Sequence, residues 1–219
     1  ACAPFRRLHL CNKNFQNNNN DHSSNAKHNL LLDVCLAAKY EGQSIKHYSE
    51  KYDEQYPSSG STFTMCTMLA RSFADIGDIV RGKDLYIGNK KESTQRKKLE
   101  ENLQKIFGHI YEEFKRGDKT KKAEKHYQDT PDFYQLREDW WTANRETVWE
   151  AITCDDDDKL SNASYFRATC NDTGQGPSQT HNKCRCDKEK AIKAGGNVNI
   201  VPTYFDYVPQ FLRWFEEWA

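Results

Sequence analysis

The segment from Arg137 to Cys154 carries three tryptophans, Trp140, Trp141 and Trp149, and ends on a cysteine. Tryptophan buries more surface than any other side chain, so a helix holding three of them must lie deep in a core. Thr130-Pro131-Asp132 offers a helix start upstream, a cap candidate followed by proline at the first helical position. Phe133, Leu136, Trp140 and Ala143 then recur at helical steps. With 219 residues the chain can enclose such a helix in one large domain or two small subdomains.

Other segments show the same period. Leu30, Leu31, Val34, Cys35 and Ala38 predict a helix from about Asn29, with Gly42 interrupting it and a short helix after it through Ile45, Tyr48 and Tyr52. Pro57-Ser-Ser-Gly60 reads as a turn, and Ser61 or Thr62 as the cap of a longer helix. Cys66, Leu69, Phe73, Ile76 and Val80 form one buried stripe, which Gly82 ends after Arg81. Leu99, Leu103, Ile106, Phe107, Ile110 and Phe114 give the strongest pattern, with lysine and glutamate on the opposite face. Pro202 and Pro209 bracket the start of a last helix, whose apolar face is Val208, Phe211, Leu212, Phe215 and Trp218. No strand alternation extends over a useful length, so the expected class is all-α. Asn17 to Asn20 is low-complexity and reads as a loop.

Eight cysteines, an even number, fit four bridges in an oxidising compartment: Cys2, Cys11, Cys35, Cys66, Cys154, Cys170, Cys184 and Cys186. Their pairing is open on sequence. Residues 155–200 are rich in Asp, Asn, Gly and Ser, and a loop of that length needs staples. Cys184 and Cys186 are too close to pair easily with each other, so each reaches elsewhere. Basic and acidic residues balance at 32 each, so no global field favours nucleic acid or a membrane surface. No apolar run approaches the ~20 residues needed to span a bilayer, and no signal peptide opens the chain. Mean hydropathy is low at -0.97 while aromatic content is 12%, which describes a core of large rings under a well-solvated surface. Two glycosylation sequons, at Asn162 and Asn171, lie in the polar loop.

Five blocks resemble one family. They are Cys2 to Cys11, Asn29 to Gly42, Leu69 to Tyr86, Arg137 to Cys154 and Val201 to Ala219. Together they resemble the Duffy-binding-like domain, alpha type, of the Plasmodium falciparum erythrocyte membrane protein 1 variant adhesin family. The resemblance implies a disulfide-stapled Duffy-binding-like helical fold, of which this chain holds the first two subdomains. An N-terminal unit of loops and short helices would cover 1–60. A helical bundle carrying the stapled loop 155–200 would cover 61–219. The family domain continues past the last helix into a third, cysteine-containing subdomain, and another segment usually precedes it.

It also implies an adhesion module on the extracellular face of the infected erythrocyte, part of the ectodomain of a membrane protein. The implied partners are host red-cell or endothelial surface receptors, sulphated glycans, neighbouring domains of the same adhesin and host antibodies. For the alpha type these are heparan sulphate-like glycans, blood-group sugars or complement receptor 1, giving rosettes. The alternative is an antigenically variable structural element of the head whose neighbouring domain carries the receptor site.

Candidate sites divide by chemistry. His181, Cys184, Cys186 and Cys170 contain metal-ligating residue types, but their spacing matches no standard zinc finger, and bridges are the simpler use of the thiols. Asp155 to Asp158 resembles a calcium loop by charge alone, lacking the glycine and glutamate of an EF-hand. Neither a nucleophile–base pair nor a phosphate loop is visible, so no enzyme and no cofactor is expected. The candidate binding site is a basic run: Lys115, Arg116, Lys119, Lys121, Lys122 and Lys125 face only Asp118 and Glu124. Such a cluster suits a sulphated polyanion, and otherwise it is a solvated loop between helices. Lys90, Lys91, Arg96, Lys97 and Lys98 extend the basic surface.

Overall fold

The computed structural model describes residues 2–11, 26–55, 62–117, 122–154, 158–170, 176–180, 182–189 and 199–218. Its helices are α1 (Phe5–Leu8), α2 (Ala26–Gln55), α3 (Thr62–Arg81), α4 (Lys90–Gly117), α5 (Lys122–His126), α6 (Tyr134–Ile152) and α7 (Gln210–Trp218), with a 3-10 turn at Phe205–Tyr207 before α7. Among the described residues the only β pairing is two isolated bridges, Cys170 with Ser178 and Asn182 with Arg185. The class is all-α.

α3 is the central element. Its stripe of Cys66, Leu69, Phe73, Ile76 and Val80 is fully buried, and so are Ser72, Asp75 and Asp78 on its other sides. Phe73 packs between Trp141 and Trp149 of α6, with ring centroids 5.0 and 5.1 Å away. Gly77 lets the Trp141 ring approach, because a Cβ there would lie 2.7 Å from it. α3 ends as the sequence indicates, with Gly82 at φ 72 directly after Arg81.

α2, from the unit expected over 1–60, packs on α3, α4 and α6 in one hydrophobic cluster. Gly42 does not interrupt it. The helix runs unbroken because Gly42 is its contact with α6: a Cβ there would fall 2.0 Å from the Ile152 carbonyl oxygen. α4 begins at Lys90, nine residues before Leu99, the first residue of its apolar stripe. Asn89 Oδ1 accepts from the backbone N–H of Lys91 and Glu92, and Glu92 accepts from Asn89 N–H. This reciprocal cap carries the helix start back beyond the stripe. Leu99, Leu103, Phe107 and Ile110 are buried, whereas Phe114 is exposed.

Two expectations about helix geometry are corrected. α6 starts at Tyr134, not at Pro131, which lies in a turn. Phe133, left-handed at φ 54, stands at the cap position without a side-chain bond, and Asp129 Oδ2 instead accepts from the Gln135 N–H at 2.9 Å. α7 is inverted relative to its pattern. Phe211, Leu212, Phe215 and Trp218 point to solvent, while Gln210, Arg213 and Trp214 are buried. The physical reason lies on α3. Asp75 and Asp78 are buried there, and Arg213 donates to both, at 2.7 Å to Asp75. Gln210 Nε2 donates to Asp75 and Asp84 at 3.2 and 2.8 Å. A buried carboxylate without a partner costs several kcal/mol, so the polar face of α7 turns inward.

The same chemistry ties α1 to this end of the molecule. Arg6 bridges Asp75 and Glu217 at 2.7 and 3.0 Å, and Arg7 pairs with Asp84. On the far side Asp206 accepts from Arg145 at 2.8 Å and from the Trp141 indole at 2.9 Å.

Candidate receptor-binding surface

Two of the expected bridges order the long loop. Cys66–Cys184 joins α3 to it, with the Cα atoms 5.6 Å apart, and Cys170–Cys186 closes it at 5.4 Å. Cys184 and Cys186 thus reach elsewhere, as their spacing requires. Backbone contacts add to the staples: Lys183 N–H donates to Leu160, Cys184 N–H to Ala163, and the Trp149 indole to the Cys184 carbonyl.

Cys2 and Cys35 depart from the expectation of a bridge at each cysteine, being free thiols. An even count does not place sulfurs together, and a bridge needs Cα atoms within roughly 7 Å. Cys2 lies exposed in the opening segment, its carbonyl accepting from Trp218. Cys35 is half-buried on α2, where burial, aided by Glu150, pushes its thiol up to about 11. For Cys11 the backbone N–H donates to Glu41, and the Cys154 carbonyl accepts from Lys46.

The zinc-like residues are committed otherwise, since Cys170, Cys184 and Cys186 are all in disulfides; His181 lies outside the described residues. Asp158 and Asn162 are exposed, both at positive φ. Asp155 to Asp157, Asn171 and Asn17 to Asn20 lie outside the described residues, as does Ser61.

The basic run sits at the end of α4 and on α5. Lys119 and Lys121 lie outside the described residues. Arg116, Lys122 and Lys125 are exposed and make no ion pair among the described residues. Lys115 is engaged. Its Nζ lies 3.3 Å from Glu112 and 3.7 Å from Glu124, and 5.4 Å from the centre of the Tyr111 ring. The hydrogen bond that Lys115 donates to Glu112 raises its pKa above the ordinary lysine value. Sequence spacing shows the six cations but not the carboxylates that α4 and α5 bring against the first of them.

Arg96 does not extend the basic surface. Its guanidinium turns back to donate to the Asp84 and Tyr86 carbonyls and fixes the loop between α3 and α4. Lys90, Lys91, Lys97 and Lys98 point to solvent. Beside that loop is a cleft of about 980 Å³, with Arg7, Tyr40, Asp84, Arg96, Glu100 and Tyr134 in its wall. Its charges are spent internally. Arg7 holds Asp84, and Glu100 accepts from the fully buried Arg137 at 3.1 Å. The arginines in its wall, Arg7 and Arg96, are thus engaged within the fold, whereas the lysines above are exposed.

The Duffy binding domain family matches residues 1–213. The chain belongs to that family. Among solved structures, it is similar to the NTS-DBL1(alpha-1) domain of Plasmodium falciparum membrane protein 1 (PfEMP1) from the varO strain. Identity is 42% and the TM-score 0.71, over 100% of this chain and 43% of that one. The same strain's NTS-DBL1-alpha and CIDR-gamma double domain matches at 39% identity and TM-score 0.70, over 100% of this chain and 27% of that one. The DBLbeta domain of PfEMP1 IT4var13, solved bound to ICAM-1, matches at 32% identity and TM-score 0.64, over 100% and 44%. No curated protein matches. The chain spans less than half the length of the solved chains it resembles. It is a Duffy-binding-like domain of the PfEMP1 type, and members of that type bind host receptors, as the ICAM-1 complex illustrates. No helix among the described residues is long and apolar enough to cross a membrane.

Proposed function

We propose that this domain is a host-receptor-binding module on the extracellular face of the infected erythrocyte. It acts by reversible binding and not by turnover, and uses no cofactor. Its ligands are sulphated glycans of the heparan sulphate kind, with blood-group sugars and complement receptor 1 as further partners in rosetting. The observation that carries this reading is the likeness to an alpha-type PfEMP1 domain over the whole chain. The exposed cations Arg116, Lys122 and Lys125 supply contacts for sulphate, with Lys119 and Lys121 of the same run. Neighbouring domains of the adhesin and host antibodies are its other partners.

A second reading is favoured by coverage: more than half of each solved relative lies outside the matched region. In that reading the chain is an antigenically variable structural element, and the receptor site is in the remainder or a neighbouring domain. Retention on immobilised heparin tests the first reading. Binding by this chain at physiological salt supports it. Binding only by a longer form of the adhesin selects the second.

A further inference from the structure

We propose that α1 and α7 form a mechanical latch, which unzips when residues 2 and 218 are pulled apart and leaves the core folded. This goes beyond the receptor-binding reading, under which a load-bearing contact gives the latch its use. Residues 2–8 and 210–218 meet at one pole of the molecule. The Trp218 indole donates to the Cys2 carbonyl at 2.9 Å, and the Phe5 and Trp218 ring centroids are 5.9 Å apart. One step inward, Arg6 donates to both carboxylate oxygens of Glu217, at 3.1 and 3.0 Å. Further in, Arg7 pairs with Asp84, which also accepts from Gln210 at 2.8 Å. The contacts therefore run in order from the outer residues inward. Tension between Cys2 and Trp218 loads them one after another and not all at once.

Polar contacts hold these two helices. Among the described residues the central hydrophobic cluster contains no side chain of α1 or α7. α1 buries Arg7, and the one apolar side chain that α7 buries is Trp214. The rest of the attachment is charge and hydrogen bonding to α3. Arg6 donates to Ser72 and Asp75 at 2.9 and 2.7 Å, and Arg213 donates to Asp75 and Asp78. Arg71 of α3 stands 3.5 Å from Glu217. A unit with few buried apolar contacts opens at a fraction of the global stability. Once it opens, water reaches the carboxylates and guanidinium groups, so neither side is left with an unsolvated charge and the latch can close again.

The peel has a stop on each side. Leu10, just after α1, belongs to the hydrophobic cluster. Before α7, Asp206 is locked to α6, accepting from Arg145 at 2.8 Å and from the Trp141 indole at 2.9 Å. Between these stops residues 2–9 and 207–218 come free, about 20 residues or roughly 70 Å of extended chain. Both disulfides, Cys66–Cys184 and Cys170–Cys186, lie inside the stops, so they do not limit this first extension.

The test is optical-trap force spectroscopy of the whole chain, with handles at Ala1 and Ala219 and no receptor present. The expected record is a first opening of roughly 70 Å that reverses on relaxation, followed at higher force by a separate unfolding of the core. Arg6→Ala removes the outer ion pair and should speed the first opening ~10-fold or more at a fixed load, with the core step within about twofold of the parent. Phe107→Ala should do the reverse and speed the core step alone. Thermal melting by circular dichroism checks that each protein is folded. Should Arg6→Ala not fold, Glu217→Gln reads the same contact, since Glu217 pairs with Arg6 and Arg71 alone among the described residues. A single unfolding event with no short first step overturns the inference. So does a first step that the Arg6 and Glu217 variants leave unchanged, or that Phe107→Ala speeds as much as they do. Because no receptor takes part, none of these outcomes bears on the receptor-binding reading.

Discussion

α4 and α7 are both amphipathic, yet they bury opposite faces. α4 buries Leu99, Leu103, Phe107 and Ile110 and presents lysine and glutamate to water. α7 buries Gln210, Arg213 and Trp214 and leaves Phe215 68% exposed and Phe211 49% exposed. A periodic stripe defines two faces, and the neighbouring element decides which one turns inward. α4 lies against apolar surface, including Trp140, whose ring meets Phe107 at 6.2 Å. α7 lies against Asp75 and Asp78, which need cationic partners more than the aromatic stripe needs cover.

The comparison breaks most readily at its charged member. Arg213→Ala leaves two buried carboxylates short of a partner and should cost ~3–5 kcal/mol in urea denaturation. Phe107→Ala should cost a similar ~3–5 kcal/mol through lost transfer energy and a cavity. Equal stability of the Arg213 variant and the parent would mean that α7 is not held by its polar face. Next comes the staple: Cys66→Ser with Cys184→Ser should lose ~2–5 kcal/mol, because the bridge closes a loop across most of the chain. A parent-like melt would show that the backbone contacts of Lys183 and Cys184 suffice.

Acid–base behaviour sharpens the picture of the α7 anchor. Burial pushes Asp78 up to about 6, against the opposing guanidinium groups of Arg213 and Arg81. Asp75 is also penalised by burial, but Arg6 and Arg213 outweigh this and hold it below the usual carboxylate range. Asp78 therefore binds its proton more readily folded than unfolded, where a value of about 3.9 applies. Its contribution to stability is complete below about 3.9 and is lost as pH rises through about 6. Asp75 has the opposite sign, contributing above its unfolded value and losing that as pH falls through its lower folded value. Relative to Asp78→Asn, the parent should lose stability as pH rises from about 4 to about 6. Parallel pH profiles for the two proteins would refute this. The smallest effect belongs to the outward stripe: Phe215→Ser should change stability by no more than about 0.5 kcal/mol.

Much of the helical scaffold is legible in the sequence. The stripe from Cys66 to Val80, the end of α3 at Gly82 and the buried face of α4 all follow from local spacing. What was not legible depends on a second element. Gly42 reads as a break until the Ile152 carbonyl is beside it. Pro131 reads as a helix start until Asp129 is seen accepting from Gln135. Trp140, Trp141 and Trp149 are alike in sequence. Only Trp141 and Trp149 reach acceptors, Asp206 and Cys184, and both are fully buried. The basic residues of the candidate surface are plain in the sequence, but which of them are free is not. Arg96 and Lys115 are spent on contacts within the fold, whereas Arg116, Lys122 and Lys125 stay exposed.

Hydroxyl-radical footprinting of the folded chain, read by mass spectrometry at single residues, tests the inversion of α7 most directly. The account predicts heavy oxidation of Phe211 and Phe215 with Trp214 protected, and protection of Phe107 on α4. Protection of Phe211 and Phe215 with oxidation of Trp214 would show that both helices bury their apolar stripe, and would contradict the account.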